Sequence, residues 1–231
     1  MSISVVLIAS LFGPAPSSDA SEIIKNVRAS YARLSSYQDT ASVTMTHPGG
    51  EDRQFFKTWY QRPGRWRMDY SEPRENGKQA TLIFWSNGSS NKIWDDVYKR
   101  SPNVLRSPGH GFESVSRVAC QYVETVPSLL DPTAVNDRTL EDLAGSAILP
   151  EAMIKQSECV RINGRGPGQS NVTIWIEKRR TLILRIENET KVQNLGDARI
   201  VVDYSPVPNP KIAPSVFEYK PPPNLTRVEF R

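Results

Sequence analysis

Cysteine and histidine are scarce. The 231 residues hold two of each, Cys120 and Cys159, His47 and His110, at no close spacing, so the sequence offers no zinc-type ligand set. Long apolar runs are missing as well: the run from Ile3 to Phe12 falls short of the ~18 residues a membrane-spanning helix needs, and no other comes near it. There is no block of like charge. Lys+Arg 29 against Asp+Glu 25 leaves +4 scattered along the chain, which reads as solubility charge and not as a nucleic-acid footprint, despite a pI near 9.1. Nucleophile-elbow, His-Glu-x-x-His and Walker lysine motifs are all lacking. Residues 164–168, Gly-Arg-Gly-Pro-Gly, follow a strand-like segment without opening a helix and read as a loop. Asp95-Asp96 and Glu187/Glu189 sit on strand-like segments, where neighbours are expected to point to opposite faces and so not to converge as an acid/base pair.

What is present suits one folded domain. Hydrophobic residues at 38% against 23% charged supply enough apolar surface for a core, and 18 prolines with 13 glycines favour many turns and short strands over a bundle. The short apolar run at Ile3–Phe12, followed by Ser18 and Ala20 at small-residue positions, reads as a signal peptide over residues 1–20, although no Lys or Arg precedes it. Export places the chain in an oxidising compartment, where Cys120 and Cys159 could form a bridge closing about 39 residues; two buried thiols are the alternative.

Periodicity gives the elements. Ile23, Ile24, Val27, Tyr31 and Leu34 recur at helical spacing over residues 21–34, with Asp19 or Ser21 as cap. From Tyr37 the period becomes two, and strands are expected at about 37–46, 54–61, 66–70, 79–86 and 92–99, separated by turns such as Arg62-Pro63-Gly64. Residues 108–143 return to helical spacing in short pieces. Strands resume at 158–163, 171–177, 182–190 and 198–204, and a last one is expected at 216–220 after a proline-rich stretch. The sum is an α+β fold: an N-terminal helix, about ten to eleven strands in a large, strongly curved antiparallel sheet, and a helical insertion.

Aromatics are unevenly placed. Ten of the twenty lie between Phe55 and Tyr98, including four of five tryptophans. A solid sandwich core would account for this, and so would a wide interior lined by apolar side chains. The run Thr81-Leu82-Ile83-Phe84-Trp85 is apolar on both faces and needs cover on each side.

The order Trp59-Tyr60-Gln61-Arg62-Pro63, an aromatic-ended strand to Tyr70, Pro73, Asn87-Gly88 and Lys92-Ile93-Trp94 resembles the LolA/LolB-type periplasmic lipoprotein carriers. Leu34-Ser35-Ser36-Tyr37, Thr173-Ile174-Trp175-Ile176-Glu177 and Val216-Phe217-Glu218-Tyr219-Lys220-Pro221 extend the resemblance along residues 21–231. It implies an unclosed β-barrel whose mouth is covered by a helical lid, here about residues 108–143. It also implies a periplasmic carrier, without cofactor or metal, that holds acyl chains of a lipoprotein or free lipid and meets an inner- or outer-membrane receptor; a monomer is expected, since no surplus amphipathic helix demands a partner. Arg62 matches the arginine that ties barrel to lid, a role suited to a guanidinium with five donors. Trp59, Trp66, Met68, Phe84 and Trp94 are the candidate lining residues. A Cys120–Cys159 bridge would hinge such a lid. The competing readings are an envelope sensor or interaction module on the same fold and, more remotely, a hydrolase.

Overall fold

The computed structural model describes residues 19–73, 79–95, 125–132, 140, 143–166, 169–193 and 195–220. Helix α1 (Ala20–Ala32) starts where Asp19 accepts a hydrogen bond from the Ser21 N–H, the side-chain cap that the first turn's free donors require. The expected cleavage boundary after residue 20 therefore falls inside the first turn, since Asp19 caps it and Ala20 is buried. Strands follow as β1 (Ser36–His47), β2 (Gly50–Gln61), β3 (Arg65–Pro73), β4 (Gln79–Asn87) and β5 (Asn91–Asp95). After the short helix α2 (Thr125–Leu130) come β6 (Ala144–Ile154), β7 (Ser157–Arg165), β8 (Asn171–Glu177), β9 (Ile183–Val192), β10 (Gly196–Tyr204) and β11 (Val207–Pro208).

All the described strands join one sheet in the order β5-β4-β3-β2-β1-β10-β9-β8-β7-β6, with β11 paired to the start of β1. Every pairing is antiparallel and β5 does not pair with β6, so the sheet is curved and unclosed, as the sequence leads one to expect. Alternation then divides the residues between two faces. Tyr37, Asp39, Ala41 and Val43 of β1 stand opposite Tyr60, Thr58, Phe56 and Gln54 of β2, and Met68 stands opposite both Thr58 and Phe84. This parity is the concave face. Ile162, Ile174, Ile186 and Val202 continue it across the other half, and Val27 and Tyr31 of α1 with Val126 and Leu130 of α2 complete one apolar core. Leu143 packs onto β7 at Gly164, where a Cβ would lie 2.6 Å from Leu143 Cγ, so only glycine admits that approach.

Two expectations differ from the structure. Strand β6 escapes the sequence pattern because Gly145, Pro150 and two register shifts break its alternation and both its faces are largely exposed. Residues 216–220 do not form a strand: Pro214–Phe217 is a 3-10 turn lying over β3 and β4. It supplies the second cover that 81–85 requires. Phe217 is buried, and the Tyr219 ring meets Trp85 edge-on at 5.1 Å on the convex face. Cys159 carries a free thiol, fully buried and directed at the Ser157 carbonyl at 3.5 Å. Cys120, the signal segment 1–18, and residues 108–124, 133–139, 141 and 142 of the expected lid lie outside the described residues.

Candidate functional site

The β2–β3 turn brings Arg62 to the end of the sheet where both helices meet it. Gly64, at φ +63, takes the left-handed conformation that this tight turn needs. The Arg62 backbone N–H donates to the Ser35 carbonyl at 3.0 Å, which holds the turn against the α1–β1 link. Its side chain then donates twice: Nε to the Leu34 carbonyl at 2.9 Å and Nη2 to the Leu130 carbonyl at 3.0 Å, with the guanidinium carbon 5.5 Å from the Tyr60 ring centroid. One guanidinium thus ties the end of α1 to the end of α2 across the sheet. Leu130 is the last residue of α2, whose carbonyl has no intrahelical donor, and Leu34 lies in the link just past the C-cap of α1.

Beneath this clamp lies the apolar interior. Trp66, Met68 and Phe84 stand on the concave face and are at most 3% exposed. Trp59 and Trp94 do not join them. Trp59 pairs with Gln38 and Arg67, and Trp94 with Ile83, which is the opposite parity, so both point to the convex face. There they belong to a cation–aromatic stack. The Arg67 guanidinium, held by Asp69 at 2.6 and 2.8 Å, lies 5.4 Å from the Trp59 ring and 4.8 Å from Tyr219, and Trp94 is 5.9 Å from Tyr219. That arrangement packs the C-terminal segment on the sheet.

The interior also holds a carboxyl that sequence reading passed over. Asp39 is 1% exposed on β1, where the Tyr37 hydroxyl donates to its Oδ2 at 2.9 Å and the Thr58 N–H to its Oδ1 at 3.2 Å. Burial pushes its pKa up to about 6, against the opposing effect of those hydrogen bonds. Tyr37 packs 5.7 Å from the Tyr31 ring of α1, and Tyr31 accepts the Ile183 N–H at 3.2 Å, so β1, α1 and β9 meet around this group. The signal was available: Asp39 has the same strand parity as Tyr37, Ala41 and Val43.

On the convex face, Phe55, Met153 and Val207, each more than 40% exposed, line a groove of about 770 Å³ together with Arg185, Asp203 and Lys155. Glu187 and Glu189 share that face two residues apart, contrary to the sequence expectation of opposite faces. They are held separately, Glu187 by Arg199 at 2.9 Å and Glu189 by Asn171 at 3.1 Å. Among the described residues, no helix is long and apolar enough to cross a membrane, and no three His, Cys, Asp or Glu side chains cluster as a metal site.

No curated protein matches this sequence at significance. Among solved structures, MucB superposes with a TM-score of 0.51 at 10% identity, over 89% of this chain and 64% of MucB. LprF from Mycobacterium bovis gives 0.49 at 11% identity over 84% and 94%, and a LolA superfamily protein from Nitrosomonas europaea 0.40 at 14% over 86% and 96%. At such identities the likeness is one of fold. The sequence itself says more, because residues 20–231 match one family from the first residue of α1 onward: the chain belongs to the DUF2092 family of predicted periplasmic proteins.

Proposed function

We propose that the protein is a non-catalytic periplasmic carrier that takes up acyl chains of a lipoprotein or lipid on the concave side of its sheet, beneath a movable cover that includes α2. The observation that carries this reading is the double contact of Arg62 with the Leu34 and Leu130 carbonyls. A cover over an apolar interior must be held shut when empty and released when loaded, and a single side chain bonded to both helix ends can do that. Six consecutive buried residues in α2, Thr125 to Leu130, support the same reading, because a ligand entering the concave side has to displace that packing. The driving force is adequate. Each buried methylene contributes about 0.8 kcal/mol, so a 14-carbon chain gives roughly 11 kcal/mol before the costs of opening and ordering.

Arg62→Leu tests the clamp. Removing two charge-assisted hydrogen bonds, worth about 1.5 kcal/mol or more together after allowance for solvent, raises the open fraction of a mostly closed protein and tightens apparent affinity about tenfold. A fluorescent fatty-acid probe should therefore bind Arg62→Leu faster and more tightly, with the far-UV circular dichroism unchanged. Uptake and release equal to the parent's would contradict the clamp. A second reading, an envelope interaction module with no lipid cargo, draws on the convex groove at Phe55, Met153 and Val207. It predicts lipid-free protein from the cell envelope.

A further inference from the structure

The concave side contains a polar group that folding leaves unused. Asn188 of β9 stands opposite Val172 of β8 and Ile200 of β10, with Ile186 two residues away on the same face, and all four side chains are buried. Asn188 is 0% exposed, and neither its Nδ2 nor its Oδ1 has a hydrogen-bond partner among the described residues. The half-buried Thr190 lies one inner step nearer the strand's end. An asparagine on the other face of the same sheet behaves differently: Asn163 Nδ2 donates to Asn171 Oδ1, Val172 O and Thr173 Oγ1 within 3.2 Å. A carboxamide offers two donors and an acceptor, and burying all of them unpaired opposes folding. An isoleucine, valine or leucine would suit this parity, its neighbours and the strand conformation better.

We infer that Asn188 is the polar anchor of the concave site and pairs with the neutral ester or amide linkage, or an adjoining hydroxyl, of an acyl ligand. The inference rests on the carrier reading and narrows its ligand class. Both a donor and an acceptor stand free, which matches a linkage that supplies a carbonyl together with an N–H or O–H. Its cross-strand and same-face neighbours, Val172, Ile200, Ile186 and Thr190, carry no charge. Glu187 and Glu189 occupy the opposite face. A carboxylate head would therefore be buried at this level without a counter-charge, and an uncharged linkage is preferred. The tail then runs against Ile186, Val172 and Ile200.

The test compares two competitors of equal chain length, 1-monomyristoylglycerol and tetradecane, displacing an apolar dye from the parent protein and from Asn188→Leu. Loss of the anchor should raise the monomyristoylglycerol Kd about tenfold, the worth of one buried hydrogen-bonded pair, while the tetradecane Kd moves less than about twofold. The ligand-free variant should also unfold at higher urea than the parent. Equal shifts for both competitors, or none for either, overturn the anchor and leave the carrier reading standing. Failure of the parent to bind either molecule overturns both. Should Asn188→Leu not fold, Asn188→Val, smaller and β-branched, is read by the same criteria.

Discussion

Replacing Asp39 by asparagine should remove a stabilising contribution that is present at acid pH and lost by neutral pH. The folded-state pKa of Asp39 is raised to about 6 from 3.8, chiefly by desolvation, so between these values the folded protein binds a proton that the unfolded chain does not. Stability from this group is accordingly greatest below pH ~4, falls as pH rises, and levels off above about 6; the difference is about 3 kcal/mol at 1.36 kcal/mol per pH unit. A carboxamide in its place cannot ionise, yet the amide oxygen can still accept from the Thr58 N–H or the Tyr37 hydroxyl. Urea unfolding of both proteins at pH 4.5 and pH 7 isolates the group, because titrations elsewhere cancel in the comparison. Asp39→Asn should gain on the parent as pH rises from 4.5 to 7. A gap that stays constant would mean that Asp39 keeps an ordinary pKa, and with it access to water.

Phe217→Ala should cost about 3 kcal/mol, toward the low end for a buried phenylalanine because the 3-10 turn is near the surface and can partly collapse. Phe217 is 1% exposed, while its neighbours Ser215 and Glu218 face solvent, so this side chain is the buried anchor of the 3-10 turn. With it gone, Tyr219 loses its hold on Trp85, and tryptophan emission should shift to the red as that ring meets water. Tyr219→Ala, at a half-buried position against Trp85, Trp94 and the Arg67 guanidinium, should cost less than Phe217→Ala, about 1–2 kcal/mol. A loss below about 1 kcal/mol for Phe217→Ala in urea unfolding would show that the convex face of β3 and β4 does not depend on this cover.

These two residues also mark the reach of sequence reading. The meander from β1 to β5 was legible because turn residues punctuate segments of alternating character, and α1 because its apolar residues keep one stripe. Parity was not legible in β2. Phe55 and Trp59 share one face and Phe56 and Tyr60 the other, so composition could not say which pair looks inward; pairing with the Tyr37, Ala41 and Val43 side of β1 decides it. The same ambiguity put Trp94 on the wrong face. Strand β6 was hidden by small residues, Pro150 and its bulges, and 216–220 alternates because Phe217 and Tyr219 both turn toward the sheet. Arg62 was found through resemblance, and its contacts came from the fold. Asp39 and Asn188 could have been found by a simple rule: a polar residue at the buried parity of an otherwise apolar strand needs an explanation.

The account stands or falls on what the concave side holds. Protein isolated from the periplasm without detergent, then denatured and extracted, should release acyl lipid detectable by mass spectrometry in near-stoichiometric amount, enriched in neutral ester- or amide-linked species. Protein that comes through the same isolation with no lipid, and takes up none when offered monomyristoylglycerol, would contradict it.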